Sequence, residues 1–125
     1  MIRTMLVVAL GGAVGSALRF VISKLVASVS GGVFPYPTLV VNVAGCLAIG
    51  LIYGLSIRGS LGGDTMKALL ATGVCGGFTT FSTFSNESLA LLRDGHALTV
   101  LVYAGSSLIA GLAAVAAGYW IAERA

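Results

Sequence analysis

The stretch TGVCGGFTTFSTFSNES, Thr72 to Ser88, decides the reading of this chain. It lies where a membrane helix belongs, yet Thr79, Thr80, Ser82, Thr83 and Ser85 crowd it with hydroxyls. Phe78, Phe81 and Phe84 recur at every third position between them, and Gly76-Gly77 stands just upstream, where helix propensity is poor. Polar groups freed inside a bilayer must be satisfied by protein or by a water-filled path. The pattern therefore predicts a helix broken near Gly76–Thr79, facing protein or a path.

Composition sets the solvent in which that break must be understood. Of 125 residues, 58% are hydrophobic and only 9% charged, and the mean hydropathy is +1.04. A soluble surface needs more charge than this, so the chain is an integral membrane protein. The pI near 9.2 reflects basic residues flanking spans; no basic patch or aromatic–basic interleaving suggests nucleic acid. Cys46 and Cys75 fall in apolar runs without a CxxC or a histidine cluster, which suits small core residues. The N-terminal apolar run leads through Gly11-Gly12 and Gly15 into Leu18-Arg19 rather than a cleavage site, so it reads as a first span and not a signal peptide.

Four spans make one domain over residues 1–125, with no internal repeat. The first covers about Met5 to Ala27. Its uncharged part, the fifteen residues from Thr4 to Leu18, reaches only about 23 Å at the helical rise, so Arg19 must lie inward of the helix end while Lys24 snorkels. Pro37 opens the second span, about Thr38 to Ile57, which carries Asn42. Asp64 is the expected N-cap of the third span, which runs to about Leu92, and Gly95 is a natural stop. The fourth covers about Ala97 to Ile121. Gly50/Gly54 and Gly11/Gly15 match GxxxG and read as packing seams.

Four spans put both termini and the Arg58–Lys67 connector on one side. That side carries Arg3, Arg58, Lys67 and Arg124, against Lys24, Arg93 and Arg19 toward the other. Four against three gives no orientation by the positive-inside rule. A chain without bias inserts both ways up, and two inverted copies supply the symmetry that larger transporters encode in one chain. An antiparallel, dual-topology homodimer is the expected assembly.

No catalytic set is present. His96 lies in a turn beside Asp94, and Glu87, the one acid within a span, has no His or Cys neighbour in sequence, so an enzyme is not expected. The spans offer neutral donors instead: Asn42 on the second, the Ser/Thr cluster on the third, and Tyr103, Ser106 and Ser107 on the fourth, with Tyr103 and Ser107 on one face. Single instances of such residues are usually interhelical glue. Five hydroxyls in seven positions go beyond that, and donors without a balancing acid suit an anion, which phenyl edges also face favourably. Core packing alone would also account for the three phenylalanines.

Gly76-Gly77-Phe78-Thr79-Thr80-Phe81-Ser82-Thr83-Phe84-Ser85, followed by Glu87, resembles the signature of the small fluoride channels called Fluc or CrcB. The resemblance extends to Gly15-Ser16-Ala17-Leu18-Arg19, Pro37-Thr38-Leu39-Val40-Val41-Asn42 and Tyr103-Ala104-Gly105-Ser106-Ser107, and so covers essentially the whole chain. Phe78 departs from it, an aliphatic residue being expected there. The resemblance implies an all-α multi-pass protein of the cell (inner) membrane that passively exports fluoride and confers fluoride resistance. Its assembly would be an antiparallel homodimer with two pathways and a central structural Na+. By the same resemblance, Gly76 and Thr79 supply sodium-binding carbonyls. Asn42, Phe81, Phe84, Ser82, Thr83, Tyr103 and Ser107 line the pathway, with Arg19 in a vestibule and Glu87 at the outer end. Fluoride is small and strongly hydrated, so a selective path replaces water with close neutral donors that do not trap the ion. The alternative on similar architecture, a dual-topology proton-coupled exporter of cationic drugs, needs a membrane-embedded acid, above all in the first span, which has none.

Overall fold

A computed structural model describes all 125 residues, and it is helical throughout. Helix α1 spans Ile2–Val29, α2 spans Tyr36–Ile57, and the last helix, α5, spans Ala97–Arg124. These three are long and apolar enough to cross a membrane. The third span is divided. Its first part, α3, covers residues 64–78 and consists of α-helical Asp64–Lys67, π-helical Ala68–Cys75 and a last α turn, Gly76–Phe78. Its second part, α4, is Phe81–Arg93. At about 1.5 Å per residue neither part alone spans the roughly 30 Å of hydrocarbon, so the two together make the fourth crossing.

The expected break is real, but it falls later than the glycines. Gly76–Phe78 are helical. The chain opens at Thr79 (φ −86°, ψ 159°) and Thr80 (φ −151°, ψ 117°), both extended. These residues are β-branched and lose least by leaving the helix. The glycines have another task. A Cβ on Gly77 would stand 2.5 Å from Gly12 O, and one on Gly11 would stand 2.6 Å from Leu69 O. Small residues here let α1 and α3 touch backbone to backbone, and that packing outweighs the weak propensity. Gly118 does the same for α5 on α2, where a Cβ would meet Leu47 O at 2.5 Å. Both GxxxG pairs face a neighbouring helix: Gly11 and Gly15 face α3, Gly50 and Gly54 face α5.

The wide turn Ala68–Cys75 was not foreseen. It carries buried Ala71, Gly73 and Cys75, and such i→i+5 geometry is rare and clusters at functional sites. The Asp64 cap is also corrected: Gly63 (φ 121°) holds the N-cap position, while Asp64 is the first helical residue and makes no capping hydrogen bond. Only a left-handed residue fits the chain reversal there, which glycine supplies without strain. Pro37 takes the second position of α2, at the helix start as expected.

Only 15 of 125 residues are buried, and large apolar side chains such as Leu6, Leu10, Leu101 and Ile109 lie open. A surface of this kind is stable facing lipid or another apolar surface, not water. One end is marked by cations on aromatic rings, Lys67 over Tyr53 at 4.9 Å and Arg124 over Trp120 at 4.4 Å. Beside them Arg58 donates to Ala122 O at 2.8 Å and to Ala125 O, satisfying the last carbonyls of α5.

Candidate functional site

The break is held open from α2. Asn42 Nδ2 donates to Thr80 O at 3.0 Å, and Thr80 N–H donates to Asn42 Oδ1 at 2.8 Å. One amide side chain thus pairs both backbone groups of an extended residue, as a neighbouring β-strand would. The cost of an amide in hydrocarbon is thereby offset. One amide hydrogen of Asn42 remains free. Thr80 then starts α4: its Oγ1 accepts Thr83 N–H at 3.2 Å and donates to Thr83 Oγ1 at 3.0 Å. Thr79 turns back, its N–H and its hydroxyl both donating to Cys75 O, at 3.0 and 2.9 Å.

Two kinds of unpaired backbone group meet at this point. The carbonyls of Gly76, Phe78 and Thr79 accept no hydrogen bond within the chain, and the amides of Phe81 and Ser82 find no acceptor. The first set is the negative end of α3; the second is the positive end of α4. Arg19 adds a fixed cation, its Nε donating to Gly77 O at 3.0 Å, with Ser16 Oγ at 3.5 Å from the same oxygen.

An open cleft of about 620 Å³ runs along the break. Asn42, Gly76, Thr79, Phe81, Phe84 and Ser107 all line it, together with Thr80 and both cysteines. No charged side chain lies on its wall. Phe81 is 79% exposed, so its ring is available to whatever passes or packs there. Its centroid is 5.9 Å from Phe84, which in turn lies 4.8 Å from Tyr103.

Tyr103 is completely buried between Phe84 and Phe34, the latter edge-on at 5.6 Å. Its hydroxyl donates to Glu87 Oε1 at 2.9 Å, so Tyr103 and Glu87 act as one unit behind the cleft rather than on its wall. Glu87 also lines a second cavity, about 360 Å³, between the α1–α2 loop and the end of α4, where Asp94 joins it. Ser82 is exposed, with its Oγ 3.4 Å from Thr80 Oγ1, and Thr83 is tied to Thr80. The structure brings six of the eleven expected site residues to one cleft and sets Arg19, Ser82, Thr83, Tyr103 and Glu87 around it. Thr80 also lines the cleft, although the sequence reading counted it only among the hydroxyls of the run and gave it no place at the site. Its signal was present: a Thr followed three residues later by a residue whose N–H needs a cap.

Comparison with known proteins agrees with this architecture. Residues 6–119 match the family described as CrcB-like protein, Camphor Resistance (CrcB). The chain is 42% identical over 123 residues, 98% of each chain, to a fluoride-specific ion channel FluC of Azobacteroides pseudotrichonymphae. It is 49% identical over 114 residues to the FluC of Thermus thermophilus, covering 91% of this chain and 90% of that one. It is 47% identical over 116 residues to FluC 2 of Rhodococcus jostii, covering 93% and 96%. With its divided third span and a match along nearly its whole length, the chain belongs to the CrcB family.

Proposed function

We propose that this protein is a passive, fluoride-selective channel that lets the membrane potential drive fluoride out of the cell. The carrying observation is the clamped break. Asn42 holds Thr80 extended, and this opens a cleft whose polar side chains are all uncharged and whose wall includes the rings of Phe81 and Phe84. The amide end of α4 attracts an anion, and the spare Asn42 hydrogen, the Ser107 hydroxyl and the positive edges of Phe81 and Phe84 replace its water. No Lys or Arg stands on the cleft wall to trap it, as conduction requires. Ser82, Thr83, Tyr103 and Glu87 continue the polar track toward the second cavity, and Arg19 keeps positive potential beside the break.

The open apolar face suits a second copy, and the near-equal basic counts suit insertion both ways up, so the working unit is an antiparallel homodimer with two pathways. The unpaired Gly76 and Thr79 carbonyls fit a sodium ion, a hard cation that takes oxygen ligands. Bound there, it would supply positive potential near both pathways and join the two copies. Gly76 contributes only backbone, so a side-chain substitution nearby tests packing, not ligation.

The deciding measurement is ion release from liposomes holding purified protein under a potential set by a potassium ionophore. Fluoride should leave rapidly and chloride far more slowly. Equal rates would refute selectivity, and proton-driven efflux of an organic cation in place of fluoride would refute the reading entirely.

A further inference from the structure

Four rings make a ladder from the α1–α2 loop to the break. Phe34 meets Tyr103 edge-on at 5.6 Å, Tyr103 lies 4.8 Å from Phe84, and Phe84 lies 5.9 Å from Phe81. Phe84 and Phe81 line the cleft, and Phe34 does not. The main chain of Phe34 is fixed just before α2. Tyr36 N–H donates to Phe34 O at 2.9 Å, and Pro35 between them (φ −82°, ψ 70°) completes an inverse γ-turn. Upstream, a Cβ added at Gly31 or Gly32 would meet nothing within 4 Å. The loop is thus open at its glycines and seated at its phenylalanine, whose ring also packs on Tyr36 at 4.7 Å. Phe34 lines a cavity on each side of that seat, about 360 Å³ toward α4 and about 340 Å³ toward the start of α5.

Tyr103 carries the contact inward. It is completely buried and its hydroxyl is tied to Glu87 Oε1 at 2.9 Å, so its ring is held at the hydroxyl and packed between Phe34 and Phe84. Phe84 itself is half-buried on the cleft wall. The way its ring points decides its sign toward an anion, because the edge of a phenyl ring attracts negative charge and the face repels it. A ring at a site keeps one orientation when the side chains behind it are themselves locked by packing. Tyr103 stands behind Phe84, and Phe34 locks Tyr103 from the loop side.

We propose that Phe34 is a positioning residue of the channel: acting through Tyr103, it keeps the edge of Phe84 turned toward the ion. The proposal rests on the channel reading above, and the test separates the two. Phe34→Leu keeps bulk and removes the ring, whereas Phe34→Tyr keeps the ring. Each is measured for fluoride release from liposomes and, with para-fluorophenylalanine placed at Phe84, by fluorine NMR in detergent. From the strength of an aromatic pair, Phe34→Leu should slow release by about two- to tenfold and shift or split the Phe84 resonance. Phe34→Tyr should release fluoride within about twofold of the wild-type rate, with the resonance in place. Size-exclusion elution checks that each variant is folded, and Phe34→Met, which also fills the seat without a ring, replaces a leucine variant that aggregates. Slow release with the Phe84 resonance unmoved would overturn the proposal, because Phe34 would then act at the cavities beside it. A moved resonance with wild-type release would overturn it as well, since the aim of Phe84 would not matter to conduction, and so would wild-type behaviour in both. A wild type that releases no fluoride brings down the channel reading, and the resonance then still reports whether Phe34 sets Phe84.

Discussion

Asn42→Ala tests the clamp at the centre of the site. The substitution removes two hydrogen bonds at once, 3.0 Å to Thr80 O and 2.8 Å from Thr80 N–H, and leaves both backbone groups of an extended residue unpaired beside an apolar cleft. Leaving one such group unpaired costs about 1–3 kcal/mol; Thr80 is part-buried, so the lower end applies and the pair together costs about 2–3 kcal/mol. At 1.4 kcal/mol per tenfold this shifts the balance between clamped and unclamped breaks by about 30- to 140-fold. If the clamped break conducts, fluoride release in liposomes falls by up to that factor, and the melting temperature in detergent falls with it. Asn42→Asp separates the clamp from the lining. It keeps the acceptor for Thr80 N–H but places a carboxylate on the wall. At about 4 Å and the screening typical of protein sites, a unit charge opposes an anion by about 4 kcal/mol. The aspartate should therefore conduct less than the alanine while losing less stability. Wild-type flux and melting temperature in Asn42→Ala would refute the clamp. An aspartate conducting as well as the alanine would refute the placement of Asn42 on the ion's path.

Gly77→Val drives a side chain into Gly12 O, 2.5 Å from the Cβ position; overpacking of this kind costs about 1–3 kcal/mol, so yield and melting temperature should fall, and an unperturbed protein would mean that α1 and α3 do not touch there. Phe81→Ile and Phe84→Ile keep bulk and remove the ring edge. Fluoride flux should drop by about tenfold or more, as for other lost contacts to a charge, while size-exclusion elution stays that of the wild type. Loss of assembly without a specific loss of flux would assign both rings to packing.

Much of this was legible in the residues from Thr72 to Ser88. A hydroxyl-rich, ring-spaced run inside an apolar chain has few structural uses, and the break followed from it; the crossings were read from the apolar runs, and Asn42, Phe81, Phe84 and Ser107 were expected on the pathway from the family resemblance. What stayed hidden depended on partners distant in sequence. Gly76 and Gly77 looked like the weak point because local propensity disfavours helix there, yet the packing of Gly77 on Gly12 favours a helical turn and passes the opening to Thr79 and Thr80. Asp64 looked like a cap by chemistry, but the left-handed turn at Gly63 took that position. The grip of Arg19 on Gly77 O, 58 positions away in sequence, has no local signature at all. The wide turn at Ala68–Cys75 has none either, because its sequence is an ordinary apolar run.

That wide turn has a consequence for how the molecule tolerates change. In an α-helix each residue advances the azimuth by about 100°, and a stretch wound at i→i+5 accommodates one residue more than its α equivalent. Its slack fixes the phase between the glycine seam on α1 and everything after Phe78. Deleting a single residue between Ala68 and Cys75 would let the coil tighten to the α pitch and keep the downstream side chains near their present aim, whereas inserting one would swing them by more than a quarter circle. The length of this segment is thus as much a determinant of aim as the identity of any residue on the wall.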